Sequence, residues 1–459
     1  MITIKKLFIA NRGEIALRVI RAAHELGIET VLGCSEADKD SLPARMAGAI
    51  EVIGPAAAKK SYLNIEAVIA AARASGADAV HPGYGFLSEN SEFAAAVNNA
   101  GMVFVGPSAE TIALMGNKAS ARLCAERAGV PTVPGSKGVV RDIEDALREA
   151  RVIGYPIMLK AAAGGGGRGI RVAHNEAELE KEYAVASREA LGAFGDGDIY
   201  LERYITRARH VEVQILGDGQ HAVHLFDRDC SLQRQRQKLV EEAPAPVLPE
   251  TTRGLMGEAS VRLAESVGYS GAGTLEFLYS PDSDEFFFIE MNTRIQVEHP
   301  VTEMVTGIDL VRETLHIASG HPLRFTQDAI VLRGAAIECR INAEDPFVNF
   351  KPSPGTVKEL TLPSGPGVRV DSMLYAGYAI PFYYDSLLAK IIVWDEDRAS
   401  AIKRMMRALK EMKIEGVTTT IPLHLAILED SGVLRNDIHN AYLEESLLPD
   451  FVDKAGNLQ

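Results

Sequence analysis

Short apolar runs alternate with helical patterns from Leu7 to Val105, and this alternation restricts the possible folds more than any other feature of the chain. Leu7–Ala10 reads as a strand, Asn11–Gly13 as a turn and Glu14–Leu26 as an amphipathic helix. Thr30–Cys34 repeats the strand signal and Ile65–Ala74 the helix. Ala79-Val80 leads into the loop His81-Pro82-Gly83-Tyr84-Gly85, and Met102–Val105 is a further strand. Strands separated by helix-length crossovers pair in parallel, so the pattern predicts a doubly wound parallel sheet. The first turn lacks GxGxxG, which argues against an ordinary dinucleotide-binding domain.

A second region runs from Glu110 to Ser319. It holds the strand Tyr155–Lys160, a run of glycines at Gly164–Gly169, and strands at Ile199–Glu202, His210–Leu216, Gly273–Leu278 and Phe286–Met291. A third region, from Arg333, opens with the strand Ala335–Ile341 and closes with helices near Arg398–Lys410 and Leu423–Leu428. Charge now matters. With 48 Lys+Arg against 62 Asp+Glu the net charge is -14, which argues against nucleic acid or an anionic membrane as partner. An anionic substrate must therefore be held by a local basic cluster. The four cysteines, Cys34, Cys124, Cys230 and Cys339, form no CxxC pair, so neither a disulfide framework nor a zinc site is indicated. No apolar run approaches the ~18 residues of a membrane span, and the N-terminal stretch lacks the pattern of a signal peptide. The expected compartment is the cytoplasm.

Several segments carry chemistry. Five glycines in the six residues 164–169 weaken any helix or strand, but let backbone N–H groups converge on phosphate, with Lys160 before the run and Arg168 within it. A flexible surface loop is the alternative. Gly273–Ser280 and Glu285–Asn292 read as a hairpin across Pro281–Asp284. Symmetry about Ser283 sets Glu276 opposite Glu290, a repulsion that a bound cation relieves. These carboxylates and Asn292 are hard oxygen donors suited to Mg²⁺. Beyond the hairpin Asn292, Arg294, Gln296 and Glu298 are spaced by two, so a chain that stays extended turns all four to one face. Arg294 can hold a small oxyanion and Glu298 is a candidate general base; a polar edge strand is the alternative. His210, Glu212 and Gln214 alternate with Val211, Val213 and Ile215, as in a strand with one buried and one polar face. The run Gln233–Lys238 reads as a solvated charge stretch, and Cys230 as a packed thiol.

Taken together these residues resemble biotin carboxylase, the ATP-grasp component of biotin-dependent carboxylases, along nearly the whole length. The matching stretches are IANRGEIALRVIRA (9–22), HPGYGFLSEN (81–90), LMGNK (114–118), GGGGRGIRV (164–172), RHVEVQILGDG (209–219), RDCSLQR (228–234), EEAPAP (241–246), GAGTLEF (271–277), FIEMNTRIQVEHPVTEM (288–304) and ECRINAEDP (338–346). Carbamoyl-phosphate synthetase is a more distant relative. The resemblance implies an α/β and α+β chain: an N-terminal doubly wound, Rossmann-like domain (1–114), an ATP-grasp domain (115–332) with a mobile glycine-rich lid at 132–204, and a C-terminal β-rich domain (333–459). It implies ATP-dependent carboxylation of biotin by bicarbonate through carboxyphosphate.

Carried onto matching positions, the resemblance gives ATP contacts to Lys118, Lys160, Gly165, Gly166, Glu202, Arg203, Ile205, His210, Gln233, Arg236, Glu276 and Glu290. It gives Mg²⁺ (or Mn²⁺) to Glu276 and Glu290 with Asn292. Bicarbonate falls to Lys238, Arg294, Gln296, the Val297 backbone and Glu298, with Glu298 as general base, and biotin to Arg340 and Tyr84. Three departures stand out: Arg236 replaces the family's usual His, Ala162-Ala163 a common Ser-Gly, and Arg203 a common Lys. No biotin-carrying Ala-Met-Lys-Met motif occurs, so the expectation is a subunit working with a separate biotin carboxyl carrier protein and a carboxyltransferase, as a homodimer. Two other readings stay open: an ATP-grasp ligase activating bicarbonate for another acceptor, and an inactive nucleotide-binding regulatory subunit.

Overall fold

The computed structural model describes residues 3–161, 170–194 and 197–456. They form two units: residues 1–130, 209–277 and 290–459 make the first, and residues 131–208 with 278–289 the second.

The first unit begins with the alternating segment. Strands β1 (Lys6–Ile9), β2 (Glu29–Ser35), β3 (Ala49–Gly54), β4 (Ala79–His81) and β5 (Val103–Phe104) form a sheet in the order β3-β2-β1-β4-β5, with every pairing parallel. Leu7, Phe8 and Ile9 have no exposed surface, as expected for a strand covered on both faces. Helix α1 (Gly13–Glu25) buries Ile15, Ala16, Val19 and Ile20, the apolar stripe read from the sequence. Within this sheet the one strand not anticipated is β3, a sheet edge; its run Ala49–Gly54 is apolar, but Ile50 and Val52 stay exposed at the edge while only Ile53 is buried. The strand order reverses at β1, so the loops after β1 and β4 meet at a topological switch point, the usual place for a ligand crevice. Asn11 ties them together by donating to the carbonyls of Pro82 (2.7 Å) and Tyr84 (2.8 Å). Gly83 is required there: its φ is +63° and a Cβ would lie 2.8 Å from Asn11 Nδ2.

The large sheet is built from β9 (Arg209–Asp218), β10 (Ala222–Arg234), β11 (Gln237–Ala243), β12 (Ser270–Ser280), β13 (Glu285–Asn292), β14 (Ala335–Asn342), β18 (Val368–Ser372) and β19 (Leu387–Asp395). Between β14 and β18 lie the short strands β15 (Glu344–Asp345), β16 (Lys351–Pro352) and β17 (Glu359–Thr361); β20 (Lys413–Glu415) pairs with β17. The sheet order is β13-β12-β9-β10-β11-β14-β19-β18. The strands of the third sequence region therefore extend the same sheet, with β14 pairing antiparallel to β11 through Glu241 opposite Glu338. Helices Arg398–Glu411 and Ile421–Glu429 cover part of it, with Met405, Leu409, Leu423 and Ile427 packed on Ile337, Ile341 and Ile391.

The second unit has its own core. Strands β6 (Ile157–Ala161), β7 (Ile170–Ala173) and β8 (Ile199–Arg203) make a sheet in the order β7-β6-β8. Helices Ile143–Ile153 and Glu176–Phe194 pack on it through Ala146, Ala150, Leu179, Ala186 and Ala190. Gly165, Gly166, Arg168 and the Ala162-Ala163 pair lie outside the described residues.

Candidate active site

The site grows out of one buried guanidinium. Arg228, in the middle of β10, has no exposed surface. Its Nε donates to Glu212 Oε1 (2.6 Å), Nη1 to Gln214 Oε1 (2.7 Å) and Thr302 Oγ1 (2.9 Å), and Nη2 to Thr274 Oγ1 (3.1 Å) and Gln296 Oε1 (2.5 Å). A guanidinium has five N–H groups, and here all five are used. The polar side of the His210–Gln214 alternation thus faces this cluster instead of solvent: Glu212 and Gln214 are fully buried. A strand alternation cannot tell solvent from a buried charge network, because both select polar side chains.

Lys238 on β11 is the second centre. Its ammonium donates to Glu212 Oε2 (2.7 Å), Glu276 Oε1 (3.1 Å) and Glu298 Oε1 (2.6 Å). Three N–H groups meet three carboxylates, so the lysine is saturated. The Gln233–Lys238 run is therefore two different things. Gln235 and Arg236, both with left-handed backbone, form the exposed two-residue turn between β10 and β11, whereas Lys238 points into the cluster. Gln233 pairs directly with Lys238 across that hairpin.

Glu298 joins the two centres to a third. Its Oε2 accepts from Arg340 Nη2 (2.9 Å), and Arg340 Nε donates to Glu241 Oε1 (2.6 Å). Burial alone would raise the Glu298 carboxyl, but Lys238, Arg340 and Arg228 outweigh it and hold it well below the usual range. Glu276 is held low in the same way, by Lys238 and His210 against burial. Glu241 is pushed up to about 7, by burial first, with Glu298 adding and Arg340 opposing.

The extended alternation ends earlier than the spacing predicts. Strand β13 stops at Asn292, and Glu298 is the cap residue of helix α2 (His299–Thr306), with φ -80° and ψ 6°. The residues still converge, through a loop whose polar atoms find fixed partners. Asn292 Nδ2 and Gln296 Nε2 both donate to Glu276 Oε1, each at 2.9 Å, and Arg294 Nη2 donates to Asn292 Oδ1 at 2.9 Å. Arg294 Nε reaches Glu89 Oε2 at 2.9 Å. His210 Nε2 lies 3.0 Å from Glu276 Oε2, off hydrogen-bond alignment. Glu290 Oε2 is 3.6 Å from Lys118 Nζ; the lysine side chain is exposed and that of Glu290 partly so. Cys230 is buried, a packed thiol as read from the sequence, and burial together with Glu212 pushes the thiol well up.

In the second unit Lys160 on β6 pairs with Glu202 on β8, and Arg203 Nη1 lies 3.3 Å from Glu285 Oε2. Ile205 is half-buried just past β8. Tyr84, at the switch point, donates its hydroxyl to Glu14 Oε1. The sequence reading missed Arg228, Glu241, Glu338 and Lys390 as members of buried charge networks. One signal was available for Lys390, a lone cation inside the apolar run Leu387–Trp394.

Three family models account for most of the chain. The N-terminal domain of biotin carboxylase matches residues 3–112, the ATP-binding domain of the carbamoyl-phosphate synthase L chain residues 117–326, and the biotin carboxylase C-terminal domain residues 338–445. Biotin carboxylase 1 of Bacillus subtilis is 53% identical over 442 residues, which is 96% of this chain and 98% of that one. The biotin carboxylase domain of a thermophilic 2-oxoglutarate carboxylase bound to bicarbonate superposes with a TM-score of 0.92 at 47% identity, covering 98% of this chain and 99% of that one. The biotin carboxylase domain dimer of Hydrogenobacter thermophilus 2-oxoglutarate carboxylase, in complex with MgADP, ADP and bicarbonate, gives 0.87 at 48% identity, with coverage of 98% and 99%. Similarity of this extent, on the same three-part architecture and carried by an intact buried cluster, has one reading: the chain belongs to the biotin carboxylase family of ATP-grasp enzymes.

Proposed function

We propose that this chain carboxylates biotin on a separate carrier protein, using ATP and bicarbonate, as one subunit of a multi-subunit carboxylase. The observation that carries the mechanism is the saturated Lys238. Glu298 is ionised and proton-free at neutral pH, but its basicity is suppressed while Lys238 and Arg340 both donate to it. A bicarbonate that takes an N–H from Lys238 and others from Arg294 and Gln296 lifts part of that suppression. Glu298 then accepts the bicarbonate proton, and the oxygen left behind attacks the γ-phosphorus of ATP, with ADP as leaving group. Fixed cations around two anions serve the positioning and charge stabilisation on which phosphoryl transfer depends. The carboxyphosphate formed breaks its C–O bond to give CO₂ and phosphate. The phosphate released takes the N–H proton of biotin's ureido nitrogen, and that nitrogen then captures CO₂. Arg340 stabilises the biotin anion, since its guanidinium keeps its charge at any working pH, and Tyr84 contacts the ring.

Lys118, Lys160, Gly165, Gly166, Glu202, Arg203, Ile205, His210, Gln233 and Arg236 are assigned to the nucleotide. Mg²⁺ (or Mn²⁺) would be held by Glu276 and Glu290 with Asn292 beside them; the donors are hard oxygens, which suits it, and it would neutralise phosphate charge. Relatives bound to bicarbonate and to MgADP support these assignments. The same reading takes the domains as 1–114, 115–332 and 333–459, with a lid at 132–204. It makes the protein a cytoplasmic homodimer, served by a biotin carboxyl carrier protein and a carboxyltransferase. Among the described residues no helix is long and apolar enough to cross a membrane.

The test is ADP release from the purified protein with Mg·ATP and bicarbonate, with and without free biotin, beside Glu298→Gln. Bicarbonate-dependent turnover that biotin stimulates and Glu298→Gln abolishes is expected. Turnover indifferent to biotin and to a biotinylated carrier would overturn the acceptor, and retention of turnover in Glu298→Gln would overturn the base.

A further inference from the structure

Lys390 lies on β19 with no exposed surface, and a buried ammonium persists only where its three N–H groups find fixed partners. Its Nζ donates to the carbonyl of Val297 at 2.7 Å. It is 3.0 Å from Glu14 Oε1 and 3.9 Å from Asp371 Oδ2. In the sheet register it stands opposite Arg340 on one side and Asp371 on the other. Arg369 already grips Asp371 through two hydrogen bonds, at 2.8 and 2.7 Å, so the partners of Lys390 within about 3 Å are Glu14 and Val297, with the buried Glu338 adding a longer-range attraction.

These two partners lead to opposite sides of the site. The Val297 carbonyl belongs to the peptide plane that carries the amide nitrogen of Glu298, so holding it sets where the Glu298 side chain starts. The preceding plane is held as well: the Gln296 carbonyl lies 2.7 Å from His299 Nδ1. A carbonyl only accepts, so Nδ1 is the donor, and burial keeps this imidazole neutral. That second plane carries the Val297 N–H. In the other direction, Glu14 accepts the hydroxyl of Tyr84 on the same oxygen that faces Lys390.

We propose that Lys390 is a positioning residue that clamps the loop Gln296–Glu298 to the Glu14–Tyr84 pair, so that the bicarbonate side and the biotin side of the site are held in one register. The inference rests on the function proposed above, in which Val297 and Glu298 meet bicarbonate and Tyr84 meets biotin. Lys390 itself touches no reacting atom in this account. It acts through the backbone of Val297 and through Glu14.

The experiment compares steady-state kinetics of wild type, Lys390→Met/Glu14→Gln and Tyr84→Phe, with thermal unfolding of each. The double variant removes both charges of the Lys390–Glu14 pair together; Glu338, the other buried carboxyl facing Lys390, is already pushed well up by burial and can hold a proton. For the double variant, kcat/KM for bicarbonate falls at least tenfold while KM for ATP stays within twofold. The ratio of biotin-stimulated to unstimulated ATP cleavage falls by a similar factor. Tyr84→Phe, which removes only the hydroxyl contact, raises KM for free biotin several-fold and leaves KM for bicarbonate unchanged. A double variant that loses thermal stability but keeps both kinetic ratios overturns the proposal and leaves the function intact. Should that variant not fold, Glu14→Gln alone decides by the same ratios. A wild type without bicarbonate-dependent turnover overturns the function, and the positioning role with it.

Discussion

Charge is handled in two ways in this molecule. In the first unit Arg228, Glu212, Glu276 and Glu298 are buried around a Lys238 whose side chain is about an eighth exposed, and all eight N–H groups of Arg228 and Lys238 have partners. In the second unit the ion pairs lie nearer the surface: Lys160–Glu202 is about a quarter exposed on the lysine side, Arg203–Glu285 more than a third on both sides, and Arg151–Glu176 about half or more. Buried pairs are costly to break, because a stranded charge cannot reach water. Exposed pairs are screened and contribute little. The first arrangement suits groups that must be held in place before the substrate arrives. The second suits side chains that can exchange a protein partner for a phosphate at small cost.

Substitution at the centre of the buried network is the most severe way to probe this contrast. Arg228→Met is expected to destabilise the protein by about 3–5 kcal/mol, since it leaves Glu212 Oε1 and the side-chain oxygens of Gln214 and Gln296 buried without their donor while only Lys238 still neutralises Glu212; urea unfolding with activity followed in parallel measures it. A loss below about 1 kcal/mol would mean that the network is no more demanding than the surface pairs. Glu298→Gln separates chemistry from stability. The isosteric amide keeps the shape but cannot serve as base, and its N–H faces Lys238 or Arg340, so kcat is expected to fall by roughly 10²–10⁴ with a loss of stability smaller than that of Arg228→Met.

A buried histidine extends the contrast to pH. His424 donates from Nε2 to the Arg340 carbonyl at 2.6 Å, and burial lowers its imidazole to about 4. The unfolded chain takes up this proton near pH ~6.5 while the folded state refuses it. The histidine's contribution is thus present above that pH and is lost as pH falls towards the folded value. Relative to His424→Gln, wild type should lose about 2 kcal/mol of stability between about pH 7 and pH 5, read from paired unfolding curves in which the other titrating groups cancel. Parallel curves would show that the imidazole charges inside the fold. The smallest effect is expected at Lys160→Met in the second unit: below about 1 kcal/mol in stability, with KM for ATP raised several-fold. A large loss of stability there would erase the distinction between the two regions.

Legibility follows the same division. The parallel sheet was readable because its strands and α1 bury apolar residues with clear periods; β3 was overlooked although Ile50, Val52 and Ile53 make it an apolar run, most of it left exposed at the sheet edge. The candidate site was readable where its members lie close together in the chain, as Glu290, Asn292, Arg294, Gln296 and Glu298 do. The spacing-by-two reading reached the right residues through the wrong geometry, since the strand ends at Asn292 and Glu298 caps a helix. Arg228 and Glu241 look in sequence like members of charge runs, and nothing local distinguishes a solvated run from a buried network.

Local pattern and residue type were enough to establish the family, the parallel first sheet and the chemical identity of the candidate donors. Long-range pairing was not contained in them. Folding alone brings strands more than ninety residues apart, β11 and β14, into one sheet, and that pairing sets Arg340 against Glu298 and Glu241. Folding alone likewise lets Lys390 reach both Val297 and Glu14. The physical reason is that burial and ion pairing are relations between distant segments: the same lysine is a solvated point charge or a saturated clamp according to what the rest of the chain brings within about 3 Å of it.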